Sequence, residues 1–319
     1  MRALVTGADG FIGSHLVERL LSEGHTVRAF CCYNSNGSRG WLDGLECDRL
    51  TVTLGDIRDG RQVEEACKDI DVVYHLAALI DVPYSYKAPE SYIQTNVIGT
   101  LNVLEAAKRT RVLRVVITST SEVYGTPETM PITEKHPLQA QSPYAASKIA
   151  ADQLALSYWK SFGTPVVVIR PFNTYGPRQS TRAVLSSILT QLLEGKEVVE
   201  LGNTGTYRDM TYVSDTAYGI MLAGTTPWIN GETIQLGTGI MHTVHDMFLA
   251  ACKVLGVKAS VGLKADLLRP QASEVRCLLS DPTKARDVLG WSPTVYLPEG
   301  IARTAEWIGG RKILARGAA

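Results

Sequence analysis

Tyr144 and Lys148 stand four residues apart in the run Tyr144-Ala145-Ala146-Ser147-Lys148. On a helix that spacing puts a phenol and an ammonium on one face, about one turn apart. A nearby cation favours the phenolate, so the tyrosine can serve as a base near neutral pH. The pair follows a β-branched run, Val115 to Ser119, whose end reads Ser119-Thr120-Ser121-Glu122-Val123-Tyr124-Gly125. If that run is a strand, Thr120 stands where it can hydrogen-bond the same substrate hydroxyl as Tyr144, at the carboxyl end of the strand where ligands bind in open α/β sheets. The chemistry expected is removal of a hydroxyl proton together with hydride transfer.

Hydride transfer requires a dinucleotide, and the amino terminus offers a place for one. Thr6-Gly7-Ala8-Asp9-Gly10-Phe11-Ile12-Gly13-Ser14 follows a first strand-like run and opens a helix-like one, the context a glycine-rich dinucleotide loop needs. Gly7 allows the tight turn, Gly10 lets the backbone approach a pyrophosphate, and Gly13 permits close helix–sheet packing; amides at the helix start then face the phosphates. The second strand should end in an acid for the adenosine ribose, but Val27-Arg28-Ala29-Phe30 runs into Cys31-Cys32-Tyr33-Asn34. Asn34 or Ser35 could bond the ribose instead. No arginine directly follows the strand to receive a 2′-phosphate, although Arg39 is near, and NAD is expected over NADP. Asp56 in Gly55-Asp56-Ile57-Arg58-Asp59 could edge the adenine or cap the next helix.

These groups need a scaffold, and short β-branched runs alternate with helical stretches through the first half: Ala3 to Thr6, Ile12 to Ser22, Val27 to Cys31, Val52 to Leu54, Val72 to His75 and Val115 to Ser119. The strands are apolar on both faces, as when helices cover both sides of a parallel sheet. The fold class is therefore α/β, a Rossmann-type doubly wound parallel sheet with a smaller mixed α/β C-terminal substrate lobe. Helices are expected at about 89–110 and 143–162, then a strand at Val166 to Ile169, with the sheet ending near Pro171 and Pro177. Further helices are expected near 181–194, 214–223 and 243–254 and after Pro298, with a short strand at Val198 to Glu200. The dinucleotide domain is assigned to residues 1–172, completed by segments around 209–240, and a discontinuous substrate lobe to 173–319.

Bulk properties exclude other classes. With 319 residues the chain can bury a large core. Its 32 basic residues balance 32 acidic ones, so its net charge calls for neither nucleic acid nor an anionic membrane. Six cysteines with no CxxC pair suit a reducing compartment, and there is neither a signal-type leader nor a membrane-length apolar run. A cytoplasmic protein is expected. His242 and His245 sit at the start of a helix without a carboxylate partner at metal-site spacing, and no metal is expected.

The glycine loop, His75-Leu76-Ala77-Ala78, Thr95-Asn96-Val97, the Ser119 to Gly125 strand end, the Tyr144/Lys148 pair and Arg170-Pro171-Phe172-Asn173 together resemble the extended short-chain dehydrogenase/reductase family, over nearly the whole chain. Within it the sequence is most similar to nucleotide-sugar 4,6-dehydratases, especially those acting on UDP- or GDP-N-acetylglucosamine on the way to legionaminic-type sugars. Pro171 to Ser180 and Arg269 to Val275 carry that likeness. The resemblance implies NAD contacts from Gly7, Gly10, Phe11, Ile12, Gly13, Asn34, Ser35, Asp56, Ile57, Leu76, Ala77, Ala78, Asn96, Thr118, Tyr144, Lys148 and Pro171. It implies substrate contacts from Val82, Ser85, Thr120, Glu122, Asn173, Arg182, Arg208 and Arg269, with Tyr84 and Arg178 as further candidates.

Glu122 discriminates between reactions within the resemblance. Epimerases usually carry a small or hydroxyl residue there, whereas a dehydratase needs a carboxylate to take the C5 proton made acidic by a 4-keto group. Many sugar-nucleotide dehydratases have an aspartate before this glutamate, where this chain has Ser121; the GDP-mannose enzymes share the Thr-Ser-Glu order, so Glu122 would also assist departure of the C6 hydroxyl. Other readings are 4-epimerisation, UDP-glucuronate decarboxylation, which would call for an arginine at the position of Leu278, with Arg276 out of register, and a dinucleotide sensor without turnover. A homodimer through the helices at 89–110 and 143–162 is expected by resemblance.

Overall fold

The computed structural model describes residues 1–317, with side chains through 311. Its first element, β1 (Arg2–Thr6), has Ala3, Leu4 and Val5 fully buried. Ala3 and Val5 pack into one core and Leu4 into another on the opposite face. The same division recurs down the sheet, with Tyr74, Val116 and Val167 on one side and Val73, Val115 and Val166 on the other. Side chains alternate across a strand, so a strand covered by helices on both faces must be apolar throughout.

After β1 come α1 (Phe11–Ser22), β2 (Thr26–Cys32), β3 (Leu50–Gly55), α2 (Gly60–Cys67), β4 (Val72–His75), α3 (Val82–Lys87), α4 (Pro89–Tyr92), α5 (Gly99–Thr110), β5 (Arg114–Thr118), α6 (Pro143–Phe162) and β6 (Val166–Pro171). Between α4 and α5 the chain stays helical but widens to a π-turn over Ile93–Ile98, a feature that often marks functional positions. Beyond β6 follow β7 (Asn173–Tyr175), α7 (Val184–Leu193), β8 (Val198–Leu201), β9 (Tyr207–Tyr212), α8 (Val213–Thr225), β10 (Thr233–Leu236), β11 (Met241–Thr243), α9 (Val244–Leu255), β12 (Ser260–Leu263), β13 (Cys277–Leu278), α10 (Thr283–Leu289) and α11 (Leu297–Gly317).

The main sheet has the order β10-β6-β5-β4-β1-β2-β3 and is parallel throughout. The sheet expected to end near Pro171 is thus extended by a seventh strand, in register with β6 from Thr233↔Val168 to Leu236↔Pro171. The order reverses between β1 and β4, which opens a crevice at the carboxyl ends of those strands. β9 gathers a second, small sheet, pairing with β7, β11 and β13. A third core joins α7, α9 and α11 to β8 and β9, and Phe11 and Ile12 of α1 pack against it. The two ends of the chain meet through this contact.

Candidate active site

The crevice begins with Gly7, at φ +68°, where a Cβ would lie 2.8 Å from the amide nitrogen of Ala77. At Gly13 a Cβ would lie 2.1 Å from the Gly7 carbonyl oxygen. Any side chain at either position collides with backbone, so both glycines are fixed by close approach, and Gly7 by its conformation as well. Gly10 is exposed at the helix start. Thr6 Oγ1 accepts from the amides of Leu76 and Ala77 at 3.2 Å and is hydrogen-bonded to His75 Nδ1 at 2.8 Å, tying the exit of β4 to that of β1. The other ring nitrogen of His75 meets Thr100 Oγ1 at 3.1 Å. Burial, with Lys148 adding to it, pushes this histidine down to about 3, so it is neutral. Ala78 is half-buried beyond it. Asn96, inside the π-turn, accepts from Leu79 N at 2.8 Å and donates to Leu79 O and to Ser147 Oγ at 2.9 Å. It fixes the loop after β4 to α6.

The end of the crevice expected to hold the adenosine differs from expectation in detail. Cys31 is buried, and its thiol is pushed up to about 12, chiefly by burial. The Asn34 amide closes on its own loop, donating to Ser38 O at 2.8 Å and accepting from Ser38 N at 3.0 Å. Ser35 Oγ donates to Asn36 Oδ1 at 3.4 Å. Asp56 is held by Arg58, whose side-chain hydrogen bond keeps the carboxyl below its usual range. The helix cap is Asp59, which accepts from Arg61 N and Gln62 N. Ile57 is buried beside α2 and α5. Arg39 is 3.6 Å from Asp43.

Tyr144 opens α6 behind Pro143 and is positioned by the Ser142 cap, whose Oγ accepts from Ala145 N at 3.0 Å. Its ring is buried against Val82, which starts α3, and crosses Tyr92 edge-on at 6.2 Å. Burial raises the phenol and Glu122 adds to that, while Thr120 beside it pulls the phenol down. Lys148, one turn on, donates to the Thr118 carbonyl at 2.7 Å. The ammonium expected to favour the phenolate is thus anchored to the end of β5. Burial drives it down to about 8, opposed by the Asp152 carboxylate. Thr120 Oγ1 accepts from Glu122 N at 3.2 Å and so caps the short turn Ser121–Tyr124, which carries Glu122 into the same space. Ser121 is buried in that turn.

Two arginines from distant parts of the chain converge on Glu122. Arg269 Nη1 is 3.7 Å from its carboxylate, and Arg208 on β9 is buried beside both. Burial lowers the Arg208 guanidinium and Arg269 adds to this, while Glu122 and Glu274 oppose it. Arg208 Nη2 is also 3.5 Å from Glu274. The next residue, Asp209, pins β9 by accepting from Thr238, Gly239 and Ser280. Ser85 is buried in α3 and spends its hydroxyl on Val82 O, and Tyr84 is exposed. Arg182 is exposed and bridges to Asp81 at 2.9 Å. Arg178 is turned away to Glu18 at 2.6 Å. Pro171 ends β6 at its pairing with Leu236.

Three polar atoms in this crevice are buried without a hydrogen-bond partner: Thr118 Oγ1, Asn173 Oδ1 and Arg269 Nη1. Buried polar groups are normally paired, so they fit a site built to receive ligand atoms. Together with the glycine cradle, they make these residues compatible with a dinucleotide and a polar substrate.

Sequence reasoning missed a buried network beneath the pair. Asp152 Oδ2 receives Arg170 Nε at 3.0 Å and Ser119 Oγ at 2.9 Å, with both charged side chains almost wholly enclosed. Asp152 lies four residues after Lys148, the same helical spacing that identified Lys148 itself. Asp246, the carboxylate beside His242 and His245, is committed to a reciprocal cap with Thr243. Among the described residues no group of three histidine, cysteine or acidic side chains could hold a metal, and no helix is long and apolar enough to cross a membrane.

Residues 4–304 match the family model for GDP-mannose 4,6 dehydratase. The chain belongs to the NAD-dependent nucleotide-sugar epimerase/dehydratase family. Its relatives in that family span more than one reaction. It is 34% identical to a UDP-glucose 4-epimerase of Mycolicibacterium smegmatis, covering 96% of this chain and 98% of that one. It is 36% identical to a dTDP-glucose 4,6-dehydratase of Actinoplanes sp., covering 96% and 97%. Among solved structures it superposes on DesIV, a dTDP-glucose 4,6-dehydratase from Streptomyces venezuelae with NAD and TYD bound, with a TM-score of 0.89, 32% identity and 98% of each chain covered. The family's fold and cofactor class are thus common to relatives whose products differ.

Proposed function

We propose that the protein is an NAD-dependent nucleotide-sugar 4,6-dehydratase, converting UDP- or GDP-N-acetylglucosamine to its 4-keto-6-deoxy form. The observation that carries this reading is Glu122, a carboxylate set beside Thr120 and Tyr144 and facing two arginines. An epimerase has no need of such a base. Decarboxylation is disfavoured because the position where it would call for an arginine is Leu278, fully buried with Val123 and Phe172.

Tyr144 takes the O4 proton as C4 is oxidised, with Thr120 holding the same oxygen. NAD held by the glycine loop from Gly7 to Gly13 would supply a hydride acceptor and donor beside the sugar, and its positive charge would favour the Tyr144 phenolate against the burial that raises it. Lys148 holds the cofactor side of the site through its anchor on β5. Glu122 removes the C5 proton, acidified by the adjacent ketone, and in its protonated form gives that proton to the departing C6 hydroxyl; when hydride reaches C6 a proton from water is taken up at C5, and the O4 proton held by Tyr144 is released to solvent. Ser121 is buried in the turn and is a poor acid, so one carboxyl performs both transfers. Arg208, Arg269 and Asn173 hold the diphosphate and sugar, for which planar guanidinium groups give bidentate contacts. The protein works as a homodimer in a reducing cytoplasm, in keeping with six free cysteines.

The test is product analysis with and without the carboxylate. Wild-type protein incubated with UDP- or GDP-N-acetylglucosamine should yield a product lighter by one water. Glu122→Gln should lower the rate of its formation about 10²- to 10⁴-fold, the usual contribution of a general acid–base group. Full dehydration by Glu122→Gln would refute the role.

A further inference from the structure

The end of β2 carries a buried cysteine where an acid was expected, yet this corner of the crevice does contain a carboxylate. Asp9 lies between Gly7 and Gly10 in the loop after β1. That loop is tied to β2, with Gly7 N donating to Phe30 O at 3.0 Å and Ala8 N to the same oxygen at 3.5 Å. Asp9 therefore stands over the last residues of β2. Its carboxylate lies against the Cys32 amide and beside the Cys31 thiol, whose ionisation it opposes.

The Asp9 backbone is also held from the other side. The segment after β2 folds back so that Trp41 N donates to Asp9 O at 3.2 Å. A Cβ at Gly40, where φ is +60°, would come within 2.6 Å of Asp9 O and 2.9 Å of Asp9 Cβ. Only a glycine lets the chain pass so close. The neighbouring polar groups are already occupied. Asn34 is closed on Ser38, and Asp43 receives Ser38 Oγ at 2.7 Å and Arg39 N at 2.9 Å while facing the Arg39 guanidinium. Asp9 is half-buried and has oxygen capacity left for two vicinal hydroxyls.

We infer that Asp9 receives the adenosine ribose hydroxyls in place of the acid missing from β2, and that its charge makes the chain select NAD against NADP. A 2′-phosphate would bring a second negative charge onto this carboxylate, with Arg39 already paired to Asp43. The inference rests on the dinucleotide reading under Proposed function.

The measurement is calorimetric titration of the full-length, nucleotide-free chain with NAD and with NADP, so no turnover is needed. Wild type should bind NAD at least about tenfold more tightly than NADP. Asp9→Ala should weaken NAD about ten- to hundredfold, the range for hydrogen bonds to a charged group, with no matching loss for NADP. Asp9→Asn keeps the shape and removes the charge, so it guards against a misfolded alanine variant; it should also reduce the NAD-to-NADP ratio at least about tenfold. A wild-type ratio in both variants would overturn the assignment of Asp9 while leaving dinucleotide binding intact. Failure of wild type to bind either dinucleotide would overturn the dinucleotide reading and this inference with it.

Discussion

Lys148 carries a cost that depends on pH, and replacing it with methionine should reveal that cost. Its ammonium is enclosed at the foot of α6 with the Thr118 carbonyl as hydrogen-bond acceptor, and burial lowers it from the ordinary 10.5 to about 8. Below pH 8 the folded and unfolded chains both hold the proton, and the folded chain bears the full cost of the buried charge. Between about pH 8 and 10.5 the folded chain releases it while the unfolded chain keeps it, so stability rises with pH. Above that range both are neutral and the cost has vanished. At about 1.4 kcal/mol per pH unit the interval amounts to about 3 kcal/mol. Methionine has similar length and no charge, so Lys148→Met lacks this dependence, and titrating groups that do not feel the Lys148 charge cancel in the difference between the two proteins. Urea unfolding of nucleotide-free wild type and variant, from about pH 7 to 10.5, should show wild type gaining about 3 kcal/mol relative to Lys148→Met. A difference that stays level, or falls with pH, would refute the claim that a charged lysine is buried there.

Asp152→Ala strands Arg170 without its partner in an enclosed site. It should lower stability by about 3–5 kcal/mol in urea unfolding, and a loss under about 1 kcal/mol would mean the pair is not sealed from water. Gly13→Ala places a methyl 2.1 Å from the Gly7 carbonyl, so the loop must shift. Dinucleotide affinity should fall by more than about tenfold, and wild-type affinity would contradict the close approach.

Most of the first six strands were legible because each is a short apolar run buried on both faces; β3, at the sheet edge and only half-buried, was legible from Val52 to Leu54 alone. The seventh was not, because Thr233-Ile234-Gln235-Leu236 places a polar residue in the middle of the strand. Gln235 is fully buried and spends its amide on Tyr124, Ile132 and Asp281, partners that lie far away in sequence. The helical run at 89–110 was evident from its pattern, but the π-turn inside it was not, since it depends on Asn96 reaching across to Leu79 and Ser147. In the site, the four-residue spacing placed Tyr144 and Lys148 on one helix. It could not place the lysine's acceptor, because Thr118 acts through a backbone carbonyl that any residue would supply. Glu122 and Arg269 meet only through the tertiary fold. Asp9 was hidden for another reason: positions between the glycines of such a loop read as unconstrained, and only the returning chain at Gly40 and Trp41, packed on its carbonyl and Cβ, shows the residue to be held in place.

The central claim is that oxidation at C4 serves to eliminate water, and an isotope decides it most directly. The protein would be given NAD and UDP- or GDP-N-acetylglucosamine carrying deuterium at C4, in ordinary water, and the product examined by mass spectrometry and NMR. The account predicts a product that has lost one water and carries the deuterium at C6. A product of unchanged mass with deuterium still at C4 and the opposite configuration there would contradict it and make the protein an epimerase.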